Sequence, residues 1–308
     1  AFSFVQRTLK KNQTLTLYSM FGTMEHLVKL NKNLSRIASV DYVNAKRNEN
    51  NRLLDPIMYN TATASSLPTF NLYAQRTFLD NVLRGGLPIT LEHNNKEVVY
   101  VYSRKHGDLE RDYNKFLTHA TYFSQGDGNY RDVNQNRRND IFFNPALGDT
   151  NIKHFFNLIQ LDGFNPLVLK GTRYYIDDAV EITKIINRSV AKDNKARLHS
   201  FLSKPFYIGE LFMFLEEHGI TIKDKTKFIT EVIEASTKCE LAEHTEGFWI
   251  DHWTYNLDLL ESFLSVYPEK LKEVFCDDRT FTFYDDYWVV NPRHKKYVLY
   301  GKEPKQLH

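Results

Sequence analysis

Residues 128–140 have the sequence GNYRDVNQNRRND, and the interpretation of the whole chain starts from them. They include three arginines, two aspartates, four asparagines and one glutamine, with a single aliphatic side chain, Val133. A solvated charged face usually carries Lys and Glu, whereas Arg, Asp, Asn and Gln end in planar groups that can hold a ligand with two hydrogen bonds. Sugar hydroxyls, each a donor and an acceptor, match such groups. We call this segment the polar strip and predict that it binds a polyol; the alternative is a polar loop whose amides satisfy its own backbone.

The composition is that of a globular protein with a sizeable core. The chain has 308 residues, enough for one large domain or two ordinary ones, with 42% hydrophobic and 25% charged residues. Its 40 basic and 38 acidic residues leave a net charge of +2, so no electrostatic argument favours nucleic acid. Aromatic residues reach 14%, which provides rings for stacking on sugars as well as for the core.

Cysteine usage and hydropathy indicate the cellular compartment. Cys239 and Cys276 are the only cysteines and neither lies in a C-x-x-C motif, so we predict no disulfide framework or zinc site, a reducing compartment and a cytoplasmic location. No apolar run approaches the roughly 20 residues of a membrane span, so we predict no membrane contact. The first residues, AFSFV, are neither a signal peptide nor an initiator methionine. They are typical of mid-strand, and we expect the chain to be a segment of a longer polypeptide or part of a homo-oligomer.

Residues 1–105 are predicted to be mostly strand, because they are rich in β-branched and aromatic residues and are punctuated by Pro and Gly. The expected elements are strands over 2–20 with a turn at 10–13, a short helix over 24–34, a polar loop over 44–51, and a hairpin of 89–92 with 97–103.

From about residue 107 the apolar residues recur at helical spacing. Ser203 is a possible N-cap, Pro205 lies in a predicted first turn, and Gly219 follows the last turn of the same helix. Pro268 stops the last predicted helix. The predicted helices cover 108–123, 151–161, 180–190, 205–218, 225–239 and 254–267, and the last forty residues return to strand-like or irregular composition.

A second unusual segment, residues 246–258, has the sequence EGFWIDHWTYNLD. Trp249 and Trp253 flank a carboxylate, Asp251, and an imidazole, His252. Apolar rings on both sides of a carboxyl group remove hydration and raise its pKa, so that it can give a proton to a glycosidic oxygen near neutral pH. Asp251 is therefore the predicted catalytic acid. The alternative is that Asp251 or Thr254 caps the following helix and the tryptophans are core.

Other candidate residues carry weaker signals. Asp140 can be a second carboxylate, but a partner for Arg137 or Arg138, or simple exposure, is favoured. His244 and His252 lack metal-ligand spacing, so no metal site is predicted. The chain also contains no Walker, dinucleotide-binding or G-x-S-x-G motif.

These two segments resemble motifs of the inverting disaccharide phosphorylases of glycoside hydrolase family 94, which includes cellobiose and chitobiose phosphorylases. The family motif close to R-D-x-N-Q-D stands here as RDVNQN, residues 131–136, with Asn136 in place of the last acid. A second motif close to D-W-N-D stands as Phe248-Trp249-Ile250-Asp251, which keeps the tryptophan and the acid. Residues 129–138 are most similar to the 1,2-β-oligoglucan phosphorylase branch, with cyclic β-1,2-glucan synthases as relatives. The resemblance extends over about residues 100–270.

The resemblance implies an α+β, multi-domain fold. The family pairs a β-sandwich with an (α/α)6 barrel, which implies a β-sandwich portion at 1–105, a linker helix at 106–125 and a helical catalytic portion at 126–308. The barrel is expected to be incomplete here, since about six or seven helices are predicted and the full barrel has twelve. Family members bind phosphate through later parts of the barrel, so another segment completes the site or this piece is inactive alone.

The expected function is phosphorolysis of a β-linked glucan, specifically a β-1,2-glucooligosaccharide, with inversion. The resemblance implies that Arg131 and Asp132 bind the sugar beside the scissile bond and that Asp251 protonates the glycosidic oxygen, in this branch through a substrate hydroxyl. Inorganic phosphate is the co-substrate and no cofactor is expected. The alternatives are an inverting glycoside hydrolase and a non-catalytic glucan-binding segment. The predicted substrate-binding residues are Arg131, Asp132, Asn134, Gln135, Arg137, Arg138, Trp249, His252 and Trp253.

Overall fold

The computed structural model describes residues 6–20, 24, 26–92, 96–102, 122–124, 128–190, 194–244 and 250–306. Its residues fall into two compact units, Ala1–Ala64 and Ser65–His308. Helices predominate and strands form small sheets, so the fold is mixed α and β. None of the helices in the described ranges combines the length and apolar character that a bilayer crossing requires.

The first unit contains two helices, α1 (Leu27–Ile37) and α2 (Val40–Tyr59). Ser39 caps α2, because its hydroxyl accepts a hydrogen bond from the backbone N–H of Tyr42 at 3.2 Å. The helix predicted over 24–34 is confirmed as α1. The turn predicted at 10–13 is also confirmed, by a hydrogen bond from Gln13 N to Lys10 O at 3.0 Å.

The prediction of a mostly β segment over 1–105 is wrong for the described residues. Residues 6–20 form no strand, and the loop predicted at 44–51 lies inside α2. A third helix, α3 (Pro68–Gly85), begins at Pro68, whose fixed φ suits a first helical position. Strand-forming residues become strands only where a partner strand pairs with them, and 6–20 has none among the described residues. Helices and one hairpin therefore stand where a β-sandwich portion was expected.

The predicted hairpin is confirmed as β1 (Leu87–Glu92) and β2 (Lys96–Val101), with Ile89 opposite Val99. Side chains alternate across a strand, so neighbouring residues of β2 enter different cores. Val99 packs with the first core and Val98 with the second.

A second, antiparallel sheet contains β3 (Gly128–Asn129), β4 (Val168–Tyr175) and β5 (Thr237–Glu243) in that order. The helix predicted over 225–239 ends at Glu234, because the residues from Thr237 onward pair with β4 instead. This long-range pairing was not visible in the local pattern. A last hairpin consists of β6 (Tyr297–Tyr300) and β7 (Glu303–Gln306).

Most of the helices predicted after residue 128 are confirmed with small changes of boundary. Gly219 follows helix α9 (Ile208–Glu217) with φ +59°, as expected of a helix-ending glycine. The predicted cap at Ser203 and first turn at Pro205 are wrong, since Tyr207 precedes α9 and its N–H donates to Glu210 Oε2 at 3.0 Å. The helix predicted over 108–123 and the linker helix over 106–125 lie almost wholly outside the described residues. The helices are α4 (Tyr130–Arg137), α5 (Asp140–Phe143), α6 (Thr150–Phe156), α7 (Ala179–Ser189), α8 (Lys195–Leu202), α9 (Ile208–Glu217), α10 (Lys225–Glu234) and α11 (Asp251–Val266).

Two apolar cores hold the second unit together. The first joins β1, β2 and β4 to helices α7 to α10, with Phe206, Leu211 and Phe228 almost completely buried. The second joins α4, α5, α6 and α11, around Tyr130 and Phe155. Because α4 and α11 share this core, the polar strip and the tryptophan-containing segment are brought to the same place.

Helix α4 also lies unusually close to the end of α3. A Cβ placed on Gly85 would stand 3.2 Å from the Cγ of Arg137 and from the Cβ of Asn136. The Nε of Arg137 donates to the carbonyl oxygen of Gly85 at 2.7 Å. Only glycine allows this approach without displacement of a neighbour.

Candidate active site

The polar strip begins helix α4, and a side-chain cap fixes its first turn. Asn129 precedes the helix, and its Oδ1 accepts a hydrogen bond from the N–H of Asp132 at 3.3 Å. Tyr130, the first helical residue, is fully buried and anchors this turn in the second core. Residues 130–137 of the strip are therefore helical and not a loop, although the amides of Asn129 and Asn136 do bond the strip's own backbone, as that alternative supposed.

Arg131 and Asp132 are the strip residues that form a partly exposed polar surface. Their side chains are 32% and 20% exposed, and Arg131 Nε lies 3.4 Å from Asp132 Oδ1. Arg131 Nη1 lies 3.5 Å from Asp251 Oδ2, so one guanidinium faces two carboxylates. Although burial lowers it, Asp132 and Asp251 together hold the pKa of Arg131 above its usual range. The two distant sequence segments therefore meet in space, as the predicted site required.

Asp251 is the first residue of α11, and it does not cap that helix. Ile250 occupies the capping position and makes no side-chain cap hydrogen bond, so the capping interpretation of Asp251 is wrong; Thr254 lies within the helix. The Asp251 side chain is 40% exposed, but its Oδ1 is buried and has no hydrogen-bond partner in the described part of the chain. A buried carboxyl oxygen without a partner is a place for a proton or for a ligand donor.

The surroundings of Asp251 differ from those predicted. Trp253 is 41% exposed and so does not enclose the carboxyl group, and Trp249 lies outside the described residues. Trp253 therefore does not supply the expected desolvation, and the expectation for Trp249 concerns a residue outside the described ranges. Among the described residues, the charged group that contacts the Asp251 carboxylate is the guanidinium of Arg131.

His252 lies beneath this surface as a buried, neutral ring. It is 1% exposed and stacks on Tyr130, with ring centroids 5.1 Å apart. Burial lowers its pKa to about 4, although the charge of Asp251 acts in the opposite direction. Neither ring nitrogen has a hydrogen-bond partner among the described residues. A neutral imidazole has one donor and one acceptor nitrogen, and each of them can bond a separate hydroxyl group or water molecule.

A buried polar network locks α4 to α11 below the site. Asn134 Nδ2 donates to Asn256 Oδ1 at 2.6 Å, and the Tyr130 hydroxyl lies 2.9 Å from the same oxygen. Asn134 is completely buried, so its predicted contact with substrate is replaced by this anchoring contact. The reason is its position three residues after Arg131, which turns it toward α11.

Further along the two helices, Arg138 pairs with Asp258 and its guanidinium lies 5.5 Å from the ring centre of Tyr255. The contacts along α4, made by Arg131, Asn134 and Arg138, reach Asp251, Asn256 and Asp258 in that order along α11. The two helices therefore run roughly parallel. Sequence reasoning assigned no role to Tyr130, Tyr255, Asn256 or Asp258. Their helical spacing was visible, but nothing local indicated that α11 faces α4.

The remaining strip residues point elsewhere. Arg137 lies over the ring of Tyr100, 3.5 Å from its centre, and is part of the interior rather than of the predicted substrate surface. Gln135 is half-buried and makes no hydrogen bond to a described residue. Asp140 forms no ion pair with Arg137 or Arg138 among the described residues, although the charge of Arg137 does act on it, and the Tyr100 hydroxyl lies 3.0 Å from its Oδ2. Burial raises the pKa of Asp140 to about 7.

The described ranges contain no group of three or more His, Cys, Asp or Glu side chains that could hold a metal ion. Cys239 and Cys276 are exposed free thiols. Compared with protein families, with curated proteins and with solved structures, the chain matches none of them.

Proposed function

We propose that this chain carries the sugar-binding and proton-donating part of an inverting glucan phosphorylase acting on a β-linked, specifically β-1,2-linked, glucooligosaccharide. The observation that carries the proposal is the contact between Arg131 and Asp251, which joins the two segments that resemble the phosphorylase motifs. The (α/α)6 barrel belongs to the same proposal, with α4 to α11 as its first helices.

In the proposed mechanism, the guanidinium of Arg131 and the carboxylate of Asp132 hold adjacent hydroxyls of the sugar beside the scissile bond. When a sugar hydroxyl binds the guanidinium in place of Asp251, the carboxyl group of Asp251 is free to face the scissile bond. Trp253, 41% exposed, would be a stacking surface for a sugar ring. Arg138, already paired with Asp258, and Gln135 lie further along the same helix.

Asp251 would then protonate the glycosidic oxygen while a phosphate oxygen attacks the anomeric carbon from the opposite face. The bond from the anomeric carbon to the leaving sugar breaks, a bond to phosphate forms, and an α-sugar 1-phosphate is released. The neutral His252 would hydrogen-bond a substrate hydroxyl or a water molecule beside Asp251.

The alternative is an inverting hydrolase, in which Asp132 would be the second carboxylate beside Asp251. Product analysis distinguishes the two activities. We expect a β-1,2-glucooligosaccharide to yield sugar 1-phosphate, measured by ³¹P NMR, only when phosphate is present. Reducing sugar formed equally without phosphate would instead identify a hydrolase with Asp132 as the base. Sugar binding without either product would support the glucan-binding alternative.

Asp251→Asn tests the role of the acid. We expect turnover to fall by about 10²- to 10⁴-fold, the typical contribution of a general acid, with sugar affinity retained. Asp224→Asn is the matched control, because Asp224 lies at the start of another helix, where asparagine caps equally well. Equal turnover in the parent chain and the Asp251 variant would overturn the assignment.

A further inference from the structure

A small cavity with a mixed apolar and polar lining lies between β2, α4, α6 and the sheet of β4 and β5. Its volume is about 120 Å³, which corresponds to roughly four water molecules and is below the usual range for organic ligands. Its polar wall includes Tyr100, Arg137, His154, Tyr174, Lys238 and Glu240. Arg137 follows Arg131 by six residues of α4, which places it about 9 Å further along the helix axis, so this cavity is separate from the site at Asp251.

The only carboxylate on this wall, among the described residues, is already neutralised by its own donors. Glu240 Oε2 lies 3.3 Å from His154 Nδ1 and accepts a hydrogen bond from the Thr172 hydroxyl at 2.6 Å, and Oε1 lies 3.0 Å from Lys238 Nζ. Burial alone would raise the pKa of Glu240, but these donors hold it well below its ordinary value. The charge of Glu240 also acts on Arg137, but the two side chains form no ion pair among the described residues.

Arg137, in contrast, has no carboxylate partner within ion-pair distance in the described part of the chain. Its Nε is satisfied by the carbonyl oxygen of Gly85, and its planar face lies on the Tyr100 ring. Burial lowers the pKa of this guanidinium, although the charges of Tyr100, Asp140 and Glu240 act in the opposite direction. A buried cation without a counter-ion is costly, and the remaining N–H groups of a guanidinium are arranged to hold an oxyanion.

Tyr174 adds a second unused donor to the same wall. Its side chain is 4% exposed, and its hydroxyl makes no hydrogen bond to a described residue. Tyr174 therefore offers an O–H group, and Arg137 offers charged N–H groups, to whatever occupies the cavity.

We infer that this cavity is a binding site for a small oxyanion, such as inorganic phosphate, held by the guanidinium of Arg137 with help from the Tyr174 hydroxyl. The cavity is too small for an oligosaccharide, and the inference does not depend on the proposed function. Occupation of the site would place an anion at ion-pair distance from Arg137, and it would stabilise the folded chain by an amount that grows with the logarithm of the anion concentration above the Kd.

The test uses the 308-residue chain and inorganic phosphate. Isothermal titration and thermal unfolding are measured against sodium chloride of equal ionic strength, with acetate and glycerol as comparison solutes. We expect saturable binding of phosphate and a rise in Tm that chloride and glycerol do not reproduce. Absence of saturable binding, or an equal rise with glycerol, would overturn the inference.

Variants then locate the anion. We expect at least about a tenfold loss of phosphate affinity in Arg137→Gln, since a charge-assisted hydrogen bond is removed, and a smaller loss in Tyr174→Phe, which keeps the buried ring. Arg173→Gln, at an exposed arginine of β4, should bind as the parent does. Should Arg137→Gln not fold, Tyr174→Phe still decides the question. Unchanged affinity in Tyr174→Phe with loss in Arg131→Gln would place the anion at the other site and contradict the inference.

Discussion

At the scale of single residues, burial shifts the pKa values of His252 and Asp140. The two shifts have opposite effects on how stability changes with pH. Burial lowers the pKa of His252 from 6.5 to about 4, so between these values the unfolded chain binds more protons and stability falls as the pH falls. Burial raises the pKa of Asp140 from 3.8 to about 7, so here the folded chain binds more protons and stability falls as the pH rises. The two contributions largely cancel between pH 4.5 and 6.5.

Single substitutions should separate these two contributions. Relative to the parent, Asp140→Asn is expected to gain stability with rising pH, and His252→Phe to lose it, each by up to about 1.4 kcal/mol per pH unit. Urea unfolding at several pH values between 4.5 and 6.5 measures both slopes. Glu261→Gln, at an exposed residue of α11, is the control and should run parallel to the parent. If all three variants run parallel to it, the buried-group explanation is wrong.

Burial raises the pKa of Asp140, and the charge of Arg137 and the hydrogen bonds of Tyr100 and Asn151 oppose that rise. The Tyr100 hydroxyl lies 3.0 Å from Asp140 Oδ2 and 2.7 Å from Asn151 Oδ1, but it has only one proton to donate. When Asp140 is protonated, its O–H donates to the Tyr100 hydroxyl, and that hydroxyl can then donate its own proton to Asn151 Oδ1. Asp140, which the sequence analysis favoured as an exposed residue or an arginine partner, is thus a buried titrating group.

At the scale of elements, the pair of helices α4 and α11 determines the geometry of the candidate site. Their contacts run from Arg131 with Asp251, through Asn134 with Asn256, to Arg138 with Asp258. The middle contact is fully buried, whereas the outer two are partly exposed ion pairs that contribute little to stability by themselves. Asn256 is therefore expected to set the alignment of the two helices.

Asn256→Ala tests this alignment. The substitution removes the acceptor of the buried Asn134 amide and one of the two acceptors of the Tyr130 hydroxyl. We therefore expect a loss of about 2–4 kcal/mol in the free energy of unfolding. Asn187→Ala, at an exposed residue of α7, should change stability by less than about 0.5 kcal/mol. Urea unfolding measures the stability, and binding of the glucooligosaccharide at a temperature where both variants are folded reports the alignment. Full sugar affinity in folded Asn256→Ala would show that the network is not needed for the site.

At the scale of the whole molecule, the two compact units differ in how much apolar surface their helices bury. Helix α1 contains no buried residue and α2 contains one, Ile57. Both apolar cores consist of residues of the second unit, Ser65–His308. The cooperative unfolding of the chain should therefore come from the second unit.

A fragment of residues 65–308 is expected to unfold cooperatively, with a Tm within about 3 °C of that of the full chain, because it retains both cores. Residues 1–64 alone should show only partial helicity, since two helices with little burial are marginal in water. Circular dichroism and calorimetry of both fragments measure these outcomes. Loss of the cooperative transition in the larger fragment would contradict the division.

The site was predicted from local signals only in part. The sequence indicated Arg131 and Asp251 because planar polar groups and an aromatic-flanked carboxyl group are unusual enough to be seen without coordinates. It did not indicate that Asn134 and Arg137 turn inward, because the direction of a side chain on a short polar helix depends on which element packs against it. Tyr130 and Asn256 were missed for the same reason.

By itself the sequence determined the hairpin of β1 and β2, most helices after residue 128, and the ends marked by Gly219 and Pro268. These features depend on turn chemistry, periodicity and caps, which act over a few residues. Only the tertiary structure decided that 44–51 is helical, that residues from Thr237 pair with β4, and that Arg131 meets Asp251. Such choices depend on contacts between residues far apart in the chain, whose free energy exceeds the small local preferences for helix or strand.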